Sequence, residues 1–284
     1  MVPESIRKVF GAFPLYQYPN TGAVAKDQRA DTQFVLYVHN IESGLSTDPQ
    51  CLNIQGLFRL KKPQASVKVV PGSVHVSRNA KLPYLLEYTN SKPRVYTQEG
   101  AMIRNLFPYS STEVEFFCTL VATSLGDAWR LSLLEQINSK LLQQLYLPSN
   151  RTEMPWVVQQ SMTCQATEAM LRVFESRYPL LVKYHETTYF DMPKVFVRPA
   201  VRDQVTRDAQ KDILAQAHEC LEALTSALEQ GTVFGGEQLN ELDVILFAHI
   251  HLITQFIPNS ELGQLVMEYK ELVAHSDHVY RQLF

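Results

Sequence analysis

The sequence predicts an α/β domain over residues 1–108 followed by an all-helical domain over residues 109–284, on three observations. Strand-like and helical segments alternate in the first part, whereas the pattern is helical almost throughout from Thr112 onward. A proline, Pro83, stands directly ahead of a predicted strand. In the second part a capped and nearly uninterrupted apolar run, 244–257, predicts a helix buried on every face.

Composition places the chain among well-packed globular proteins. With 284 residues, of which 45% are hydrophobic and 19% charged, it can bury a sizeable core in two modest domains. The net charge of −3 and the pI near 6.2 argue against a nucleic-acid-binding protein, because no stripe of lysine and arginine is present to neutralise phosphates. The four cysteines belong to no CxxC or Cys/His cluster, so neither a disulfide framework nor a zinc site is expected. A reducing, intracellular compartment is expected instead.

Any membrane association is expected to be peripheral or through a partner. The N-terminus lacks the long apolar core of a secretory signal. The run 244–257 contains His249 and His251 and falls short of the ~20 residues that a bilayer span needs.

The first domain is predicted to be a thioredoxin-like layer. Its predicted elements, in chain order, are a strand at 13–18, a polar loop within an insertion of about 19–44, a strand at 34–38, a helix from a cap at Ser46 or Thr47 to 61–62, strands at 67–70, 84–87 and 94–96, and a helix at 98–107. This order of elements (strand, helix, strand, proline, strand, strand, helix) is the order found in a thioredoxin-like layer. Pro83 is therefore expected to be cis.

The second domain is predicted to consist of amphipathic helices around one central helix. The predicted helices span 112–146, 156–174, 201–228, 240–257 and 261–284, the last as one or two helices. Asn240 is a good N-cap, and Asp243 three residues later completes a capping box. Leu239 and Val244 occupy the positions of a hydrophobic staple.

Three motifs resemble the glutathione-transferase superfamily, in which a thioredoxin-like domain precedes a helical domain. Leu82-Pro83-Tyr84-Leu85 resembles its cis-proline motif, and 97–102 lies where its glutathione-binding turn would be. The segment 233–236, followed by Asn240 and Asp243, looks like its capping box and staple. The resemblance implies a glutathione-transferase-like fold.

Within that superfamily the chain most resembles the metaxins. The signature is 240–250, Asn-Glu-Leu-Asp-Val-Ile-Leu-Phe-Ala-His-Ile, and the likeness continues to Phe284. Residues 13–16 and 46–52 look like the fungal metaxin-2-type subunit (35-kDa class) of the mitochondrial sorting and assembly machinery, the SAM complex.

The metaxin resemblance implies a non-enzymatic subunit without catalytic residues, cofactor or metal. Such a subunit lies on the cytosolic face of the mitochondrial outer membrane. It binds the Omp85-type barrel subunit of the SAM complex and a second metaxin-like subunit. It helps to recognise the C-terminal β-signal of β-barrel precursor proteins and promotes their insertion.

A glutathione-dependent enzyme is the alternative. It needs a hydroxyl or thiol near the first strand or helix to hold a thiolate, and the candidates are Tyr16, Tyr18, Ser46 and Cys51. No histidine or lysine neighbours Cys51 in the sequence to lower its pKa, so we interpret it as a small buried side chain. The two tyrosines are expected to pack as strand residues.

Glu99 argues against glutathione. By the resemblance, transferases usually have a serine here, whose hydroxyl and N–H hold the γ-glutamyl carboxylate at a helix N-terminus. A glutamate places like charge against like charge, so the glutathione site is expected to be lost. A chain that keeps the capping box of the fold but has lost the glutathione-binding turn is what we expect of a binding subunit.

The histidines do not predict a metal site. His249 and His251 are two residues apart and point to opposite sides of a helix, so they cannot hold one ion. His249 is expected to form a hydrogen bond within the helical domain. His275 and His278 share a face, but the nearby carboxylate, Asp277, faces elsewhere.

Several charged residues and loops each have two interpretations. Arg7, Lys8 and the Lys61-Lys62 pair are interpreted as solvated charges, with lipid-headgroup contact as the alternative. The loop 20–31 and the segment 178–196 are candidate partner surfaces, with plain connecting loops as the alternative. A generic scaffold that uses the fold for dimerisation is a third hypothesis.

Overall fold

A computed structural model describes residues 34–72, 74, 81–88, 93–97, 99–135, 140–147, 156–182, 199–228, 233–234, 236 and 238–284. The predicted strand at 13–18, the loop at 20–31 and most of the segment 178–196 lie outside these residues. In the described part, no helix combines the length and the apolar character that a membrane crossing requires.

The first domain is a four-stranded mixed sheet with helices packed against it. Its elements are β1 (Phe34–Val38), β2 (Ile41–Glu42), β3 (Leu45–Ser46), α1 (Pro49–Lys61), β4 (Val67–Pro71), β5 (Tyr84–Glu87), β6 (Arg94–Tyr96) and α2 (Glu99–Leu106). The sheet order is β4-β1-β5-β6, and β2 and β3 form a separate hairpin. β4 is parallel to β1, and β5 and β6 are antiparallel to their neighbours. The thioredoxin-like prediction is confirmed.

β1 lies in the interior of the sheet. All five of its residues are buried, and strands pair with it on both sides. The predicted insertion of about 19–44 is therefore wrong for residues 34–38, which are integral to the sheet, whereas 41–42 belong to the separate hairpin. A continuous apolar strand is the pattern expected where both faces are covered.

The peptide bond between Leu82 and Pro83 is cis, as predicted. The proline directly precedes β5, whose partner β6 closes the predicted hairpin. Leu82 and Leu85 are buried on either side of it.

The second domain consists of helices, most of them where the sequence predicts. They are α3 (Thr112–Glu135), α4 (Lys140–Tyr146), α5 (Trp156–Phe174), α6 (Pro199–Leu228), α7 (Glu241–Phe256), α8 (Glu261–Glu268) and α9 (Lys270–Leu283). The prediction of one helix over 112–146 is matched by α3 and α4 on either side of 136–139, which lie outside the described residues.

α7 is the buried central helix that the sequence predicts. Every residue from Glu241 to Ile250 is buried, and the helix packs against α1, α3, α8 and α9. Val244 belongs to the core of the first domain, whereas Leu239 packs against the core of the helical domain. α7 thus joins the two cores, and the predicted staple between Leu239 and Val244 stays a prediction.

Candidate functional site

Asp48 caps the start of α1, directly after the hairpin. Its Oδ1 accepts a hydrogen bond of 3.1 Å from the backbone N–H of Cys51. The predicted caps, Ser46 and Thr47, are wrong, because a cap accepts from the second or third residue of the helix that follows it. The hydroxyl of Thr47 instead donates to a carbonyl oxygen of α4 at 2.7 Å.

The second oxygen of Asp48 links the cap to the helical domain. It accepts a hydrogen bond of 3.0 Å from the hydroxyl of Tyr146, which accepts one of 3.2 Å from Nε1 of Trp129. Burial, and then the charge of Asp48, raise the pKa of Tyr146 well above its usual value, so its hydroxyl stays protonated and donates. Both oxygens of Asp48 are therefore occupied.

Cys51 is fully buried one turn into α1. Burial, followed by the charge of Asp48, raises the pKa of its thiol well above the usual value. His39, which is distant in the sequence, follows β1, and a nitrogen of its ring lies within 4.8 Å of the thiol of Cys51 and a carboxylate oxygen of Asp48. Burial lowers the pKa of His39, so its neutral imidazole does not stabilise a thiolate. The interpretation of Cys51 as a small buried side chain is confirmed.

His39, Asp48 and Cys51 offer three of the four ligands of a tetrahedral zinc site. An ion would have to displace the hydrogen bonds that Asp48 accepts and a proton of the thiol. The arrangement is better explained as a hydrogen-bonded cluster. The sequence did not reveal it, because the histidine and the thiol meet only when β1 lies beside α1.

Glu99 begins α2 and points toward α1. Its Oε1 accepts a hydrogen bond of 3.0 Å from Nδ2 of Asn53. Burial raises the pKa of Glu99 to about 7; the hydrogen bond from Asn53 lowers it in part, Asp48 raises it and Arg130 lowers it. The start of α2 is thus tied to α1 by a hydrogen bond between two side chains.

The cavity beside Glu99 is small. It has a volume of about 20 Å³ and is lined by residues of both domains, including Asp48, Asn53, Glu99, Arg130 and His249. A volume of ~10–15 Å³ accommodates one water molecule. Oδ1 of Asn53 is buried and has no hydrogen-bond partner among the described residues. The cavity therefore has room for about one water molecule.

His249 and His251 lie in different surroundings. Nδ1 of His249 donates to the carbonyl oxygen of Ile245 at 2.9 Å, which confirms the predicted hydrogen bond within the helical domain. Burial lowers the pKa of His249 to about 4, so the ring is neutral at pH 7. His251 stacks on Tyr280 of α9.

His275 has a partner that the sequence analysis missed. Its Nε2 lies 2.7 Å from Oδ1 of Asp243, and both side chains are buried. His278 lies 2.9 Å from Nε2 of Gln282 instead. A buried polar side chain on the apolar face of α9 is the sequence signal that could have indicated a partner for His275.

The predicted capping box of α7 is present. The side chain of Asn240 accepts from the backbone N–H of Asp243, and the carboxylate of Asp243 accepts from the backbone N–H of Asn240 at 2.7 Å. This confirms the predicted structural roles of both residues.

Lys61 and Lys62 are not simply solvated. Lys61 forms an ion pair with Glu241, whose side chain is only 1% exposed. The ammonium group of Lys62 lies 5.4 Å from the ring centroid of Phe34. The candidates Tyr16, Tyr18, Arg7 and Lys8 lie outside the described residues.

A protein-family model matches the C-terminal part of the chain. Residues 217–279 match the model of the glutathione S-transferase C-terminal domain. This stretch spans the end of α6 through most of α9, and it follows a thioredoxin-like domain with a cis-proline. The fold is that of the glutathione transferases.

Solved structures with a similar arrangement are distant in sequence. A glutathione transferase family member of Pseudomonas fluorescens, with two glutathione bound, is 14% identical over 92% of this chain and 97% of its own, with a TM-score of 0.43. A glutathione transferase of Burkholderia graminis is 12% identical over 95% and 97%, with a TM-score of 0.49. The dehydroascorbate reductase of Chlamydomonas reinhardtii is 14% identical over 88% and 93%, with a TM-score of 0.38. No curated protein matches the sequence.

Proposed function

We propose that this chain is a non-enzymatic, peripheral subunit of the mitochondrial outer-membrane β-barrel assembly machinery. It would lie on the cytosolic face, bound to the Omp85-type barrel subunit and to a second metaxin-like subunit, where it helps to recognise the β-signal of precursors. The metaxin-like signature of 240–250 motivates the identity of the complex. The state of the site beside Glu99 supports the non-enzymatic role.

The observation that carries the non-enzymatic role is the hydrogen bond between Asn53 and Glu99. By the resemblance to glutathione transferases, it places a carboxyl group of the protein where the ligand carboxylate would lie, and the cavity beside it has a volume of about 20 Å³. Pockets for small-molecule ligands usually have volumes of ~300–1,000 Å³. The thiol of Cys51 is fully buried, and its pKa is raised, so the described residues near α1 offer no activated thiol.

Precursor recognition requires a surface that accepts an extended peptide. Extended peptides bind by pairing with the edge of a sheet or by lying in a groove. β4 and β6 are the outer strands of the described sheet, and Val95 in β6 is 51% exposed. These edges are compatible with such pairing. The loop 20–31 and the segment 178–196 remain candidate partner surfaces.

The proposal is tested by peptide binding. The purified chain is titrated with a fluorescent synthetic peptide whose sequence is that of the last β-strand of a mitochondrial outer-membrane porin. A scrambled peptide of the same composition is the control. We expect the native peptide to bind at least tenfold more tightly than the scrambled one, and equal affinities would contradict precursor recognition.

The enzyme hypothesis has its own test. It predicts retention on glutathione resin and a thiol-conjugation activity that Cys51→Ala or Tyr16→Phe abolishes. We expect neither retention nor activity. Retention on the resin together with a conjugation activity that either variant loses would contradict the proposed function and support the enzyme.

A further inference from the structure

A groove of about 540 Å³ lies where the two domains meet, formed by residues other than those beside Glu99. The β2–β3 hairpin forms one wall. α4 and the C-terminal half of α7 contribute the other, together with Tyr280 of α9. Domain junctions are preferred positions for binding sites, and this volume is in the usual range of ~300–1,000 Å³.

The hairpin wall is held in place by Gln55 of α1. Oε1 of Gln55 accepts from the backbone N–H of Ser46 at 3.0 Å, and its Nε2 donates to the carbonyl oxygen of Gly44 at 2.7 Å. The backbone of Ser43 and Gly44 turns through positive φ angles of 52° and 85°. Because Gln55 is itself buried, the groove has one firmly positioned wall.

Stacked rings form part of the opposite wall. The rings of His251 and Tyr280 are 5.6 Å apart and nearly parallel, at 14°. Tyr280 stacks in turn on Phe284 at 6.2 Å and 19°, and it is 39% exposed. Because His251 and Phe284 lie against the Tyr280 ring, the part of Tyr280 that stays exposed offers a surface on which the apolar stem of a lysine or arginine can pack.

The described lining of the groove carries a single negative charge. Glu42 is its only residue with a formal charge at pH 7, and Oε2 of Glu42 accepts a hydrogen bond of 3.0 Å from Gln144. Burial lowers the pKa of His251, although Asp277 raises it in part, so the imidazole is neutral and adds no positive charge. No lysine or arginine is among the described residues that line the groove.

We propose that this groove binds an extended segment of a partner protein that presents an arginine or lysine between apolar residues. The cation pairs with Glu42, and its apolar stem packs against the exposed part of Tyr280. The flanking apolar side chains contact Leu45, Leu252 and Phe256, which line the same groove. The volume exceeds the needs of a single side chain, and its mixed apolar and polar lining suits a peptide better than a small amine. This inference does not depend on a role in β-barrel assembly.

Selection from a random library tests the chemistry without assuming a partner. A phage-displayed library of random nonapeptides is selected on the immobilised full chain, with counter-selection on the double variant Glu42→Gln/Tyr280→Leu. We expect the retained peptides to carry an arginine or lysine next to apolar residues. Thermal unfolding confirms that the double variant is folded.

The best peptide is then measured by fluorescence anisotropy beside a copy with citrulline, a neutral isostere, in place of each arginine. We expect the citrulline copy to bind at least tenfold more weakly to the wild-type chain. Glu42→Gln should weaken the arginine peptide similarly and remove most of the difference between the two peptides. Glu168→Gln, an exposed carboxylate on α5, is the matched control and should bind like the wild type.

Three results would overturn the inference. One is a selection that yields no peptide preferring the wild-type chain to the double variant. Another is enrichment of acidic or uncharged peptides. The third is equal binding of the arginine and citrulline peptides to the wild-type chain. Because the porin-strand peptide is measured separately, failure here is distinguishable from failure of the proposed function.

Discussion

His275 donates a hydrogen bond of 2.7 Å from Nε2 to Oδ1 of Asp243, and both side chains are buried. The same carboxylate accepts the backbone N–H of Asn240 at 2.7 Å and that of Phe234 at 3.0 Å. Asp243 therefore closes the capping box of α7, fixes the segment before it and holds α9. A local signal in the sequence proves to be a junction between three parts of the helical domain.

Asp243→Ala should destabilise the protein more than Asn240→Ala. Loss of an N-cap side chain costs about 0.5–2 kcal/mol. Loss of Asp243 also leaves His275 buried without its acceptor, and a buried polar group left without a hydrogen-bond partner costs about 1–3 kcal/mol more. Urea unfolding gives the free energy of each variant.

Asp277→Ala, on the exposed side of α9, is the matched control and should be near neutral. The double variant Asp243→Ala/His275→Ala should be less destabilised than the sum of the two single variants, because the side chains interact directly. Additive effects would contradict the junction.

Gly56→Ala should destabilise the protein, because overpacking usually costs about 1–3 kcal/mol. A Cβ at Gly56 would lie 2.5 Å from Cγ1 of Val244, so α1 and α7 could not keep their separation. This cost exceeds the gain in helix propensity of about 1 kcal/mol. Thermal and urea unfolding measure it.

Gly100→Ala provides the contrast, because a Cβ there meets only a flexible arginine side-chain atom at 3.6 Å. It should be neutral or slightly stabilising. In a Val244→Ala background, Gly56→Ala should destabilise the protein much less, because the atom that the new Cβ would meet is absent. If Gly56→Ala were as well tolerated as Gly100→Ala, the close approach of the two helices would be wrong.

Glu99 should make the protein less stable as the pH rises from about 5 to 8. Its pKa is about 7 in the folded chain against an ordinary 4.5, so the folded state binds the proton more tightly. The stabilisation is complete below the ordinary pKa and is lost as the pH rises through 7. Glu99→Gln should remove about 2–3 kcal/mol of this decline, as measured by urea unfolding at several pH values. An unchanged pH profile would contradict burial of the carboxyl group.

Glu99→Ser should not create a glutathione site. The change removes the like charge, but the cavity of about 20 Å³ is still bounded by other side chains such as Asn53 and Arg130. Isothermal titration calorimetry with glutathione should show no binding to the wild type or to Glu99→Ser. Millimolar or tighter binding by the variant alone would mean that charge, and not space, excludes the ligand.

Elements with strong local signals could be predicted from the sequence. The capping box at Asn240 and Asp243, the cis bond before Pro83 and the apolar periods of α5 and α6 each depend on residues close together in the chain. The strand β1 was predicted, but its place inside the sheet was not. Its strand pattern is clear, but which strand lies inside a sheet is decided by pairing, which the sequence does not state.

The candidate site depended more on contacts between distant residues. His39 meets Cys51, Asn53 meets Glu99, and Lys61 meets Glu241 only through packing of separate elements. The helix cap was predicted one or two residues before its true position at Asp48. Ser, Thr and Asp stand in succession there, and all three are acceptable caps by propensity. The departure at Glu99 was recognised from the motif, whereas its partner Asn53 was not.

Cross-linking in isolated mitochondria tests the central claim most directly. A photoreactive residue is placed at an exposed position, such as Val95 at the edge of the sheet, in the full chain expressed in its host, and cross-linked partners are identified by mass spectrometry. We expect the Omp85-type barrel subunit and a second metaxin-like subunit among the partners, together with newly imported barrel precursors. Partners found only in another compartment, or cross-links only between copies of this chain, would contradict the proposed function.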